Sequence, residues 1–340
     1  VKAFMMVGAE TSFEYMKSMG LEHLVEEDKA ATTALGGLTQ GVSVMEMTGA
    51  YACIANGGTY YEPTYYTVVY DHDGNVLLDN REKEGTRVLK ETTAYLLTDM
   101  MEDVITSGTG TAAQISGMTV AGKTGTTSDN VDLTFYGYTP YYTAGIWMGY
   151  DTSKEMTNVS GSAHLKIWKH VMSQIHADLP NKEFTRPDGI VTLSVCAASG
   201  AQPSSLCSQD YYGYSARSDL AAADFQRDDS VCTLHKSYTV CSETGKLAGP
   251  NCPNPISVVV AVKDGQILGK PSEIPEGKLD IDVSQECTSD HIVEPTTPEE
   301  TTPGTDGEGT TTDPSTGTGD SSTETTTPTN PVDDPNFGIQ

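Results

Sequence analysis

Residues 108–130, GTGTAAQISGMTVAGKTGTTSDN, concentrate the side-chain types in this chain that could act together on a substrate. Within them Lys123-Thr124-Gly125-Thr126 sets a cation among hydroxyls, in a run of β-branched residues and glycine that favours extended backbone. Lys123 brings the charge, Thr124 and Thr126 bring hydroxyls able to hold a carboxylate, and Gly125 has no Cβ to obstruct a peptide approaching the strand. An extended substrate could lie along such an edge by strand addition. The same residues also satisfy Gly117-x4-Gly122-Lys123-Thr124, a pattern whose backbone N–H groups cradle the phosphates of a nucleotide at a helix N-terminus. That pattern needs a strand before it and a helix after. The preceding QISG is no buried strand, and Gly125, Thr126, Thr127 and Ser128 make a poor helix start, so the extended reading is preferred.

Cysteine and histidine are the other residues to weigh. Six of the seven cysteines fall between 196 and 287, and Cys196-(x10)-Cys207 and Cys241-(x10)-Cys252 repeat one spacing, each with Gly four positions after its first Cys (Gly200, Gly245). With Cys232 and Cys287 they form an even set in a loop-rich segment, which suggests disulfides and an oxidising compartment. The local pairs would be 196 with 207 and 241 with 252. Zinc is the competing reading, and the absence of any Cys-x-x-Cys pair counts against it. Cys53 stands apart and reads as a small buried hydrophobe. The seven histidines include no His-x-x-x-His or His-Glu pair, so no metal is expected. His164, His170 and His176 recur at six-residue intervals, which do not return to one helix face, and are expected at the surface. Trp147 and Trp168 are expected in packing.

The elements that must position Lys123 are punctuated clearly. Ser43-Val44-Met45-Glu46 is a capping-box pattern opening an apolar helix that Asn56-Gly57-Gly58 closes. TYYTVVYD and NVLLDN flank a turn around Asp71-His72-Asp73-Gly74 and predict a hairpin. Tyr95, Leu96, Met100, Met101, Val104 and Ile105 stand at helical spacing over 91–106, and a second helix is predicted around 163–177 with Trp168, Val171, Met172 and Ile175 on one face. Between them MTVAGKTGTT, LTFYGYT and YTAGIWMGYD read as three strands. Helices on an antiparallel sheet make the expected fold class α+β.

Composition bounds the partners. With 20 Lys and Arg against 47 Asp and Glu, the net charge of -27 has the wrong sign for nucleic acid or an anionic membrane surface. No apolar run is long enough to span a bilayer. The texture turns short, polar and Cys-bearing beyond Pro180, which sets the expected organisation: residues 1–180, a Cys-rich extension over 181–292, and a Thr/Pro/acidic tail over 293–340 that is expected to be disordered.

Lys-Thr-Gly on a strand is also the third signature of penicillin-binding proteins and serine β-lactamases, beside Ser-x-x-Lys and Ser-Asp-Asn. The chain resembles the transpeptidase domain of class A penicillin-binding proteins almost continuously over residues 1 to about 175. ALGGLTQGVSVMEMTGAYACIANGGTYYEP looks like the family's Gly-Gly loop and following helix, SGTGTAAQISGMTVAGKTGTT like the approach to the third motif, and DLTFYGYTPYYTAGIWMGYD like the two strands after it. DGIVTLSVCAASG resembles the stretch that follows the domain in many members, and the Cys-containing repeats and tail look like Gram-positive-type C-terminal extensions.

The resemblance implies a penicillin-binding α+β transpeptidase fold lacking its N-terminal part. It also implies a serine that attacks the D-Ala-D-Ala carbonyl of a peptidoglycan stem peptide, and β-lactams that acylate that serine. By position, Lys123 would support the substrate carboxylate, Thr124 and Thr126 would bind it, Gly125 would leave room for it, and the Thr126 backbone N–H would be an oxyanion-hole donor. No cofactor is implied. Membrane anchoring on the extracellular face and a glycosyltransferase domain would come from upstream sequence. The nucleophile motif is missing: no serine has Lys three residues on, and Ser162 and Ser242 each stand four residues from Lys166 and Lys246. Ser128-Asp129-Asn130 spells the second motif but follows Lys-Thr-Gly, where the family places it before, and is read as coincidence. VKAFMMVG resembles the stretch just after the family's own Ser-x-Asn, so the chain is expected to begin just past that motif and to be catalytically inactive alone. The alternative is a non-catalytic cell-surface binding module, which absence of Ser-x-x-Lys from the whole gene would favour.

Overall fold

The structure, a computed structural model, describes residues 1–225, 230–289 and 291. The expected tail over 293–340 lies outside the described residues. Among the described residues five α-helices occur in this order: α1 (Lys2–Val7), α2 (Ala9–Ser18), α3 (Val44–Ala55), α4 (Glu91–Thr106) and α5 (Ala163–Ile175). None of the described helices is long and apolar enough to cross a membrane. Between α3 and α4 lie four short strands, β1 (Thr59–Tyr60), β2 (Val68–Tyr70), β3 (Val76–Asp79) and β4 (Thr86–Arg87). The predicted hairpin is the β2–β3 pair, closed by the turn in which the Asp71 N–H donates to the Asn75 carbonyl at 2.9 Å.

The central sheet has three antiparallel strands in sequence order: β5 (Ala121–Thr126), β6 (Leu133–Tyr138) and β7 (Thr143–Met148). These are the three strands predicted from the sequence. Behind the sheet, the α3 N-terminus is built as its capping box specifies: the Glu46 N–H donates to Ser43 Oγ at 3.1 Å and the Ser43 N–H donates to Glu46 Oε2 at 2.7 Å. The Glu22 N–H and His23 Nδ1 also meet Glu46 Oε1, at 2.8 and 2.7 Å. Burial opposes ionisation of Glu46, but these hydrogen bonds outweigh it and hold the carboxyl at about 2. α3 then stacks Tyr51 on Tyr136 of β6, with ring centroids 5.4 Å apart. From α4 the Thr98 hydroxyl shares a 2.8 Å hydrogen bond with the buried Tyr138 hydroxyl.

On the other face α5 buries Leu165, Trp168 and Met172 in a core with Phe135, Ile105, Ala113, Ile115 and Val120. This burial follows the i+4 row His164-Trp168-Met172-His176. Three expectations change accordingly. Val171 and Ile175, one position before that row, are half exposed; Met100 on α4 is likewise exposed; and His164 and His176, expected at the surface, are buried. His176 is satisfied there, with Nε2 2.8 Å from Thr139 Oγ1 and Nδ1 2.7 Å from the Met172 carbonyl. Trp168 packs as expected. Trp147 is 40 % exposed and donates its indole N–H to Asp132 Oδ1 at 2.9 Å, so packing accounts for only part of its environment.

Residues 1–291 form one compact unit. Beyond α5 the described elements are strands and one 3-10 turn, Cys207–Gln209: β8 (Ile190–Cys196) pairs with β9 (Ala216–Ala222). β10 (His235–Cys241), β11 (Lys246–Leu247), β12 (Pro255–Lys263), β13 (Gln266–Ile267) and β14 (Asp282–Glu286) form a sheet of order β13-β12-β10-β11-β14. The two parts meet at α4, where Lys90 Nζ lies 2.7 Å from Asp224 Oδ2.

Candidate functional site

Lys123-Thr124-Gly125-Thr126 occupies β5, at an edge of the central sheet. Its backbone orientation follows from two contacts. The Thr127 N–H donates to the Asp132 carbonyl at 3.1 Å, and Thr134 Oγ1 donates to the Gly125 carbonyl at 3.4 Å, so positions 125 and 127 turn their polar groups toward β6. Backbone alternation then turns Thr124 and Thr126 toward the free edge. Lys123 Nζ, curling over that edge, donates to the Thr124 carbonyl at 3.0 Å. The free edge therefore offers the N–H and C=O of Thr124 and Thr126 to an added strand, with the exposed Lys123 ammonium beside them.

The four residues are not equivalent. Lys123 and Gly125 share one face of the strand and Thr124 and Thr126 the other. The Thr124 hydroxyl is engaged with Thr109 Oγ1 at 2.7 Å, whereas the Thr126 side chain is exposed. At Gly125 a Cβ would run into Thr134 Oγ1, so glycine serves the fit of β5 on β6 as well as access from outside. The extended backbone through Thr126 and the 3-10 turn Ser128–Asn130 after it leave no helix beside Lys123-Thr124, and the phosphate-cradle reading fails on its own requirement. Ser128-Asp129-Asn130 forms the β5–β6 turn, with Asp129 and Asn130 at φ 58° and 50°. It lies on the same hairpin as Lys123, not across a cleft from it.

The cysteines depart from expectation. All seven are free, and neither 196 with 207 nor 241 with 252 is bonded. Cys53 is buried in α3, which pushes its thiol up to about 11. The other six form two groups, each with one histidine: Cys196, Cys207, Cys232 and His235, and Cys241, Cys252, Cys287 and His291. The signal was present in the sequence as Cys232-x2-His235 and Cys287-x3-His291, which a search for Cys-x-x-Cys and His-x-x-x-His passes over. The repeated glycines mark a shared turn: the Gly200 N–H donates to the Cys196 carbonyl at 2.8 Å and the Gly245 N–H to the Cys241 carbonyl at 2.9 Å. Both glycines have positive φ, 72° and 70°, where a side chain would be strained.

Comparison with known proteins shows the family of this chain. The penicillin binding protein transpeptidase domain family matches residues 2–173, and this chain belongs to that family. Penicillin-binding protein 1A of Clostridium perfringens is 37 % identical over 213 residues, covering 61 % of this chain and 26 % of that protein. Penicillin-binding protein 1A/1B of Bacillus subtilis is 31 % identical over 272 residues, covering 74 % of this chain and 29 % of that protein. The chain thus spans between a quarter and a third of these relatives. The crystal structure of Haemophilus influenzae penicillin-binding protein 1A shares the fold, with a TM-score of 0.53 at 18 % identity over 66 % of this chain and 38 % of that one.

Proposed function

We propose that this chain is the substrate-carboxylate half of a peptidoglycan D,D-transpeptidase. The observation that carries the reading is the edge strand β5, whose Lys123 ammonium and outward-facing Thr126 backbone lie along one line of approach. A stem peptide adds along this edge, its terminal carboxylate held by Lys123 and the Thr126 hydroxyl, with Thr124 presenting its backbone. A serine on a segment outside this chain attacks the penultimate D-Ala carbonyl. The Thr126 N–H stabilises the oxyanion, the C–N bond breaks, and D-Ala leaves with the proton taken from the serine. An amine of a neighbouring stem peptide then displaces the serine from the acyl-enzyme. β-Lactams acylate the same serine, and the reaction takes place at the extracellular face of the cytoplasmic membrane on lipid-linked or nascent peptidoglycan.

Fluorescent penicillin tests this reading. The isolated chain is expected to take no covalent label, and a longer protein that supplies Ser-x-x-Lys is expected to be labelled. In that longer protein Lys123→Ala is expected to slow acylation about 100-fold, the scale on which a transition-state charge partner acts. Labelling of the isolated chain, or an unchanged acylation rate in Lys123→Ala, would overturn it.

A further inference from the structure

We propose that the C-terminal extension is a metal-folded module holding two zinc ions, one in Cys196, Cys207, Cys232 and His235 and the other in Cys241, Cys252, Cys287 and His291. The geometry is that of tetrahedral centres. Within each group the four ligand atoms lie within 4.8 Å of one another. His291 Nε2 stands 3.4, 3.5 and 3.4 Å from the sulfurs of Cys241, Cys252 and Cys287. His235 Nδ1 stands 3.4 Å from both Cys196 and Cys232. A tetrahedron with Zn–S near 2.3 Å and Zn–N near 2.05 Å has S···N edges of about 3.5 Å. Three sulfurs nearly equidistant from one nitrogen are therefore the corners a single ion requires. The span is too small for a cluster of several irons with bridging sulfides.

Disulfides do not explain the arrangement. Each group holds three cysteines, so local pairing would strand one buried or half-buried thiol in each. Pairing between the groups is ruled out by distance. His235 opens β10 and Cys241 closes it, and six residue steps of strand are about 20 Å, far beyond the roughly 7 Å that a disulfide tolerates between Cα atoms.

The histidines carry a second, independent sign. A metal-bound imidazole characteristically gives its other N–H to a carboxylate or carbonyl, which fixes its orientation. His235 turns Nδ1 to the sulfurs and leaves Nε2 3.2 Å from the Tyr214 carbonyl and 3.3 Å from Asp210 Oδ2. Asp210 is itself held at Oδ1 by the N–H groups of Tyr212 and Tyr214, at 3.0 and 2.9 Å. His291 does the converse: Nε2 faces the sulfurs and Nδ1 meets Glu243 Oε2 at 2.9 Å. Opposite ring nitrogens are used, yet each remaining nitrogen finds an oxygen, the Tyr214 carbonyl for His235 and the Glu243 carboxylate for His291.

Energetics give the ions a structural role. Around the first site the buried apolar cluster is Cys196, Cys207 and Cys232 themselves, flanked by Ala198, Ala216 and Leu234. So small a cluster needs another staple. Four protein ligands close each site and leave no open position for substrate. The Cys-x3-Gly turn repeated at Cys196 and Cys241 places the first ligand at a strand end in both sites.

The test is metal and thiol content of the full 340-residue chain, purified without chelator. Elemental analysis is expected to give two zinc ions per chain, and denaturation in EDTA is expected to expose seven titratable thiols, the six ligands and Cys53. Cys232→Ser and Cys287→Ser should each lower the count to one zinc. Because a variant can simply misfold, cobalt(II) is also titrated into the chelated wild-type chain. Thiolate-to-cobalt absorption should saturate at two equivalents, and zinc should displace it. Fewer than seven thiols without stoichiometric zinc means disulfides and overturns the proposal, as does iron in place of zinc, or two zinc ions retained in both variants.

Discussion

Gly122 and Gly137 face each other across β5 and β6, and the ring of Phe135 lies over both. The perturbation to make is Gly137→Ala. A Cβ there would stand 2.5 Å from Phe135 Cε1, 2.8 Å from Phe135 Cζ and 2.9 Å from Trp168 Cζ2. Neither ring can easily give way. Phe135 is fully buried, the two rings meet edge to face at 5.0 Å, and Trp168 is tied by its indole N–H to the Ala144 carbonyl at 2.9 Å. Overpacking of this kind costs about 1–3 kcal/mol. The stiffer unfolded chain of the alanine variant returns about 0.4–1 kcal/mol. The net is about 1.3 kcal/mol of destabilisation, or a Tm lower by roughly 3–5 °C for a body of this size. Urea and thermal unfolding followed by tryptophan fluorescence measure it. The sign is the discriminating feature, because alanine is otherwise the better strand residue and propensity alone predicts a gain. Phe135→Leu, which shortens the ring, should at least halve the cost in a double-mutant cycle. Gly161→Ala, whose Cβ would meet nothing within 4 Å, is the control and should show only the unfolded-chain gain of about 0.4–1 kcal/mol. A neutral or stabilised Gly137→Ala chain would refute the packing account of how β5 is seated.

Glu46→Gln removes the charge that holds Ser43, Glu22 and His23, and should cost about 1.5–3 kcal/mol near pH 5.5, the range for hydrogen bonds to a charged group. The sign follows from both partners. Glu46 is depressed to about 2, so its contribution is complete above its ordinary 4.5 and falls away as pH drops toward 2. His23 is raised by the Glu46 hydrogen bond, so its share is complete below 6.5 and is lost at higher pH. Wild type minus variant, plotted as Tm against pH, should peak between those limits; a flat difference would sink the assignment. Glu102 works the other way: burial first, then Asp99, Glu183 and Asp103, push it up to about 7. Its neutral form is favoured by folding, so stability falls as pH rises from the ordinary 4.5 to about 7 and is level above that, and Glu102→Gln should raise the urea midpoint at pH 8 and leave it unchanged at pH 4. An equal effect at both pH values would refute that reading.

The transpeptidase part was legible because its local signals agree with its packing. The Ser43–Glu46 cap, the hairpin turn at Asp71–Gly74 and the three strands around Lys123 each rest on residues that decide their own backbone. Tertiary placement was less legible. A helix face can be read from spacing, but which of two adjacent rows goes inside is set by what lies opposite. Against Phe135 and the 105–120 segment, α5 buries the row that carries His164 and His176 and leaves Val171 and Ile175 half exposed. The cysteines show the same limit more sharply. Spacing recovered the repeated Cys-x3-Gly turn, with Gly200 and Gly245 at positive φ as that turn requires. The partners lay elsewhere: Cys232 and His235 come to the first turn from beyond β9, and Cys287 and His291 come to the second from beyond β14. Parity decides between the two chemistries. Six cysteines suggest three disulfides when counted along the chain, but the fold divides them three and three, and an odd number of thiols around an imidazole suits one tetrahedral ion better than any set of pairs.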